Sequence, residues 1–129
     1  MKILIIGGGY VGHRCNETWE DSVLETGRIN SKEDVLELLD KHTPDAVLNA
    51  AGVRGKPNVD WCEDHQLETI LGNTKLPITI AEACQEKNIY LLHIGSGCIF
   101  YGDSAHEDKK WREGDMGNPT EGTYSRTKW

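Results

Sequence analysis

The chain has 129 residues, 37% of them hydrophobic and 27% charged, and its 14 Lys and Arg against 21 Asp and Glu leave a net charge of −7. That length holds one domain, able to bury roughly two-thirds of its unfolded surface. The composition excludes a disordered chain, no apolar run approaches the roughly 20 residues of a membrane span, and the acidic balance argues against nucleic acid as a partner. Anionic ligands stay open, because free backbone N–H groups bind phosphate on an acidic protein too.

Strands alternate with helices along the chain. Ile3-Leu4-Ile5-Ile6 is a short apolar run ending at glycines, the pattern of a strand buried on both faces. The nine residues His13 to Asp21, and then Ser22, are all that lie between Gly12 and a second, weaker strand at Val23-Leu24. The first helix is therefore predicted to be short, with a less rigid phosphate site. Ser31 caps a second helix, with Asp34 three residues on and Val35, Leu36, Leu38 and Leu39 as its apolar face. Pro44 ends it, and Ala46-Val47-Leu48 forms the third strand. Helical spacing resumes near Glu63 through Leu67, Ile70 and Leu71, and a further helix is predicted to start around Pro77 and run to Lys87. Ile89 to Ile94 is the fourth strand, and the polar, glycine-rich stretch from Gly102 to Gly122 is loop. This order predicts a parallel sheet with right-handed crossovers and ligands beyond the carboxyl ends of its strands.

The cysteines, Cys15, Cys62, Cys84 and Cys98, include no Cys-x-x-Cys pair, so free thiols are expected rather than zinc or a disulfide framework. The five histidines show no metal-ligand spacing. With no signal-peptide pattern at the N-terminus, the expected location is the cytoplasm.

Three motifs follow strands. Gly7-Gly8-Gly9-Tyr10-Val11-Gly12 is a G-x-G-x-x-G directly after the first strand. Glycines let the backbone approach a pyrophosphate, and the helix that follows presents free N–H donors and a positive dipole end. At the end of the second strand, Glu25 could bind a ribose 2′-OH and favour NAD(H), whereas Arg28 could pair a 2′-phosphate. The balance leans to NADP(H). Near the C-terminus, Tyr124-Ser125-Arg126-Thr127-Lys128 is a Tyr-x-x-x-Lys, whose ends share a face on a helix. An ammonium beside a phenol favours the phenolate and makes it usable in acid–base chemistry. Ser96, after the fourth strand, could hold a substrate oxygen near that phenol.

With these pieces the chain resembles the extended short-chain dehydrogenase/reductases. Within them it is most similar to the nucleotide-rhamnose synthase type, a 3,5-epimerase/4-ketoreductase of 4-keto-6-deoxyglucose nucleotides. The similarity is carried by the block from Asn49-Ala50-Ala51-Gly52 through Pro57-Asn58-Val59-Asp60-Trp61-Cys62-Glu63, then by Leu67-Glu68-Thr69-Ile70, Asn73 and Gly97-Cys98-Ile99-Phe100.

The resemblance implies an α/β fold, a Rossmann-like doubly wound parallel sheet truncated after the Tyr-x-x-x-Lys motif. Residues 1–129 would be the NAD(P)-binding part, without the substrate-binding part. It implies that Tyr124 protonates the sugar C4 oxygen, that Ser96 hydrogen-bonds it, and that Lys128 supports the phenol and binds the nicotinamide ribose. Gly7, Gly9 and Gly12 would hold the pyrophosphate, with Tyr10 and Val11 in the same turn. Ala50, Ala51 and Gly52 would line the cofactor, and Asn73 would support Lys128. Cys98 would be an acid/base for epimerisation, since a C4 ketone acidifies the C3 and C5 protons and a thiol can exchange them. Two alternatives stand beside this: a plain dTDP-4-dehydrorhamnose reductase type with no role for Cys98, and a non-catalytic dinucleotide-binding module that needs a partner chain. A nucleotide sugar is the implied substrate, UDP or dTDP. Exposed apolar faces predict a homo-oligomer or a complementing chain.

Overall fold

A computed structural model describes all residues 1–129. Four parallel strands, β1 (Ile3–Ile6), β2 (Ser22–Glu25), β3 (Ala46–Asn49) and β4 (Tyr90–His93), lie in the order β2-β1-β3-β4. The chain moves outward from β1 to β2, then returns past β1 to β3. With right-handed crossovers, that reversal puts the first helix on one face and the later ones on the other. It also opens a crevice at the carboxyl ends of β1 and β3.

The first helix, α1 (Tyr10–Thr18), is indeed short, at nine residues. The second, α2 (Lys32–His42), opens with the expected reciprocal cap: the Ser31 hydroxyl accepts from the Asp34 N–H, and Asp34 accepts from the Ser31 N–H. Leu4, Ile6 and Val47 from the sheet, Val35 and Leu39 from α2, and Ile80, Ala83 and Cys84 from α5 (Leu76–Glu86) form one core on this face.

Two details go beyond the sequence reading. The helix expected to start around Pro77 does start at Leu76, but no break precedes it. After the short α3 (Trp61–Asp64), α4 (Gln66–Ile70) runs through a π-helical turn, Leu71–Lys75, directly into α5. Proline has no N–H for the i−4 bond and crowds the carbonyl there, and a widened turn just before it relieves both. Second, Leu67, Ile70 and Leu71 face outward, at 69%, 45% and 40% exposure, while Thr69 and Asn73 are buried. The inward side of this helix makes polar contacts to α6 (Thr123–Lys128) instead of filling a core.

On the α1 side, Met1, Ile3, Trp19, Leu48, Tyr90 and Leu92 form a wholly apolar open surface beside β3 and β4. No helix is long and apolar enough to cross a membrane.

Candidate functional site

The glycine-rich turn has three different reasons for its glycines. Gly7 sits at φ +116°, and a Cβ there would come within 2.5 Å of the Ala51 nitrogen, so the turn packs directly on the β3 loop. A Cβ on Gly12 would run into the Gly7 carbonyl, so this glycine lets α1 close on β1. Gly9, the N-cap of α1, has neither constraint: its φ is −80° and a Cβ would meet nothing within 4 Å. The space over Gly9 is open at a helix N-terminus, where free N–H groups and the dipole favour an anion. Tyr10 and Val11, the first two residues of α1, are exposed at 82% and 41%.

Glu25 does not face this space. Its carboxylate turns to the α2 side, where the His42 Nε2 lies at 2.6 Å and the Lys41 ammonium donates at 3.0 Å. These bonds hold the Glu25 carboxyl below the usual carboxylate range. The ribose role considered for Glu25 is therefore lost to an ion pair. Gly7, Thr26, Arg28, Ile29, Ala51 and Val53 help line a cleft of about 330 Å³ at the ends of β1, β2 and β3. Arg28 is exposed on its rim and belongs to none of the chain's ion pairs. Those residues fit a 2′-phosphorylated adenosine: an open helix N-terminus, a cleft beside it, and a free guanidinium in place of a carboxylate.

The turn after β3 is held from behind. Asn73, 3% exposed within the π-helical turn, accepts the Val53 N–H and donates to the Val53 carbonyl, both at 2.7 Å. Its amide also donates to the Thr127 hydroxyl at 3.3 Å, and the Thr74 hydroxyl donates to the Thr127 carbonyl at 2.8 Å. Glu63 anchors the other end of α6, accepting the Thr123 N–H at 2.6 Å and its hydroxyl at 2.9 Å. A six-residue helix is too short to persist alone, so these contacts hold it in place. They bring the Lys128 ammonium so close to Gly52 that a Cβ there would lie 2.6 Å from Nζ. Burial pushes the Lys128 ammonium below its ordinary value, with no counter-charge to offset it.

Ser96 and Cys98 sit on a 3₁₀ turn, Gly97–Ile99, that packs against α6. The Ser96 hydroxyl accepts the Cys98 N–H at 3.2 Å and caps the turn, which leaves the hydroxyl proton free to donate. Cys98 is exposed, whereas Cys62 and Cys84 are buried. Tyr124 and Lys128 lie one helical turn apart on α6. The long loop is ordered by its own contacts: Phe100 stacks on Trp111 at 4.9 Å, and Asn118 bonds both the N–H and the carbonyl of Tyr101. Trp129 packs over Gly117.

Sequence reasoning missed Glu63, Thr74 and Thr127 as the supports of α6, and Asn49 as the partner of His93. Nothing local marks Glu63 for Thr123, 60 residues away. Asn49 did carry a signal: a buried asparagine ending an apolar strand needs partners for its amide.

A parallel sheet with a reversal at β1, a glycine-rich turn into a helix N-terminus, and a Tyr/Lys helix at the β3 turn define a Rossmann-like α/β fold, one shared with reductases and epimerases. The chain belongs to the RmlD family: the family model described as RmlD substrate binding domain matches residues 1–129. It is 38% identical over 124 residues to the bifunctional dTDP-4-dehydrorhamnose 3,5-epimerase/dTDP-4-dehydrorhamnose reductase of Arabidopsis thaliana, a match covering 94% of this chain and 41% of that protein. The crystal structure of the UDP-rhamnose synthase from Acanthamoeba polyphaga mimivirus superposes with a TM-score of 0.86 at 29% identity, over 99% of this chain and 49% of that one. The fold is also that of a dTDP-4-dehydrorhamnose reductase from Bacillus anthracis solved in complex with NADP (TM-score 0.83, 20% identity, 99% of this chain and 47% of that one). The chain thus spans about half the length of the relatives it matches.

Proposed function

We propose that residues 1–129 are the NAD(P)-binding Rossmann-like domain of an NADP-dependent sugar-nucleotide epimerase/reductase, which converts a 4-keto-6-deoxyglucose nucleotide to the rhamnose nucleotide. The observation that carries this reading is the convergence of Lys128, Asn73 and Gly52, which sets a half-buried ammonium beside the cofactor-facing turn of β3. The relatives' names point to the same chemistry.

In this reading Gly9 and the α1 N-terminus bind the pyrophosphate, and Arg28 pairs the 2′-phosphate of NADP(H). The reduced cofactor supplies hydride to the sugar C4. Lys128 donates to the nicotinamide ribose and favours the phenolate of Tyr124. Tyr124 delivers its proton to the C4 oxygen as that oxygen gains charge, and the free Ser96 proton hydrogen-bonds the same oxygen. Cys98, exposed on the neighbouring turn, exchanges protons at C3 and C5. In an active enzyme containing this domain, Cys98→Ser removes solvent deuterium incorporation at C3 and C5 and leaves reduction in place. Retained exchange would leave a plain 4-ketoreductase.

The outward row of Leu67, Ile70, Leu71 and Ile78, 40% to 69% exposed, supports a second copy as partner. Sedimentation should show concentration-dependent dimerisation, and a clean monomer at high concentration counts against it.

Calorimetric titration with NADPH and with NADH tests the core of the proposal. NADPH should bind more tightly, and Arg28→Leu should remove about 1.5–3 kcal/mol, roughly ten- to a hundredfold, from NADPH binding alone. Equal loss for both cofactors would remove Arg28 from the 2′-phosphate, and binding of neither would refute the domain's role.

A further inference from the structure

His93 ends β4 directly opposite Asn49 in the sheet register. Asn49 is fully buried, and its Oδ1 accepts the Ala51 N–H at 3.0 Å. A backbone N–H can only donate, so this bond fixes which end of the amide is oxygen. The Asn49 Nδ2 therefore faces the His93 Nδ1, 3.0 Å away, as a donor. An amide N–H can bond Nδ1 only if that nitrogen carries a lone pair. The imidazole must then be neutral, with its proton on Nε2.

The same asparagine also accepts the Ile94 N–H on its backbone carbonyl at 3.0 Å. Asn49 thus ties the Ala51–Gly52 turn to the end of β4, two residues before the Gly95–Ser96 pair. Protonating Nδ1 would break the side-chain half of this tie. It would also set a second cation in the field of the Lys128 ammonium, whose charge disfavours the imidazolium. Burial and that ammonium both push the His93 imidazole below its ordinary value, in keeping with the geometry.

We propose that His93 is a positioning residue of the reductase site: a neutral imidazole, protonated on Nε2, that locks the Ser96 end of β4 to the cofactor-lining turn of β3 and adds no charge beside Lys128. This rests on the NADPH-binding reading above.

The 129-residue chain itself provides the test. Long-range ¹⁵N–¹H correlation spectra at neutral pH should show His93 with a bare Nδ1 and a protonated Nε2, titrating below the ordinary imidazole range. A proton on Nδ1, or titration at the ordinary value, overturns the proposal. Calorimetry with NADPH supplies the second readout. His93→Leu should lose about tenfold or more in affinity, because it strands the Asn49 amide. His93→Asn, whose side-chain oxygen can accept the same bond, should bind within roughly threefold of wild type. Wild-type affinity in the Leu variant, or an Asn variant no better than Leu, also overturns it. Should the Leu variant fail to fold by circular dichroism, the Asn variant and the tautomer decide. A wild-type chain that shows the Nε2–H tautomer but binds no NADPH refutes the cofactor reading and the positioning role together. Normal NADPH binding with a failed tautomer or rescue refutes the role of His93 alone.

Discussion

The side-chain amide of Asn73 bonds both the N–H and the carbonyl of Val53, at 2.7 Å each, as a neighbouring strand would. An asparagine in the widened turn of a helix thereby fixes a loop 20 residues earlier in the chain. Its third bond, to Thr127, passes that constraint on to the Tyr/Lys helix.

Replacing Asn73 with Ala should cost about 1–3 kcal/mol, because the Val53 groups lose their partners in a half-buried site. Urea unfolding measures that loss. NADPH affinity should fall as well, since the Gly52 turn and α6 come loose together. A variant of unchanged stability would show that water replaces the amide.

The glycine-rich turn should separate stability from binding. Gly7→Ala meets both a positive φ and the Ala51 backbone, so a loss of about 1–3 kcal/mol is expected in thermal unfolding. Gly9→Ala meets nothing, so it should fold like wild type and still bind NADPH weakly, because the new methyl group occupies the open helix N-terminus. A Gly9→Ala protein with normal affinity would place the pyrophosphate elsewhere.

Acid should release α6 through Glu63. The Thr123 N–H and hydroxyl hold this carboxyl below the usual carboxylate range. A lowered folded-state value means that the contribution is complete above the ordinary carboxylate range and is lost as pH falls through the folded value. Hydrogen exchange of the α6 amides should therefore quicken at acid pH before the sheet is affected. Glu63→Gln should give faster α6 exchange already at neutral pH. Slow exchange in that variant would mean that Asn73 and Thr74 suffice to hold the helix.

The four thiols should differ sharply in reactivity. Cys98 is exposed and Cys15 partly so, while burial pushes the Cys84 thiol up to about 11 and Cys62 is wholly enclosed. A maleimide should label Cys98 first and leave Cys62 and Cys84 unmodified until the chain unfolds, as peptide mass spectrometry would read. Early labelling of Cys84 would mean that α5 opens easily from the sheet.

Much of this architecture could be read locally. The apolar run before the glycines, the Ser31–Asp34 cap and the alternation of strands and helices all appear where the residues place them. These are short-range matters of backbone preference and hydrogen bonds within a few residues. The continuity of the helix through Pro77 was not legible, because a proline in a first turn and one behind a π-helical turn look alike in one dimension. The outward aspect of Leu67, Ile70 and Leu71 was hidden for a related reason. Helical spacing shows that an apolar face exists, not which neighbour it meets.

The chain's residues alone settled the class of fold, the glycine-rich turn after the first strand and the Tyr/Lys pair, since each depends on residue type at close spacing. Tertiary structure alone decided that Glu25 belongs to His42 and Lys41 and that Arg28 stays free at the cleft. It alone tied Glu63 to Thr123, Asn73 to Val53 and Asn49 to His93. The physical reason is that a polar side chain takes whichever partner the fold brings within about 3 Å, and such partners lie tens of residues away.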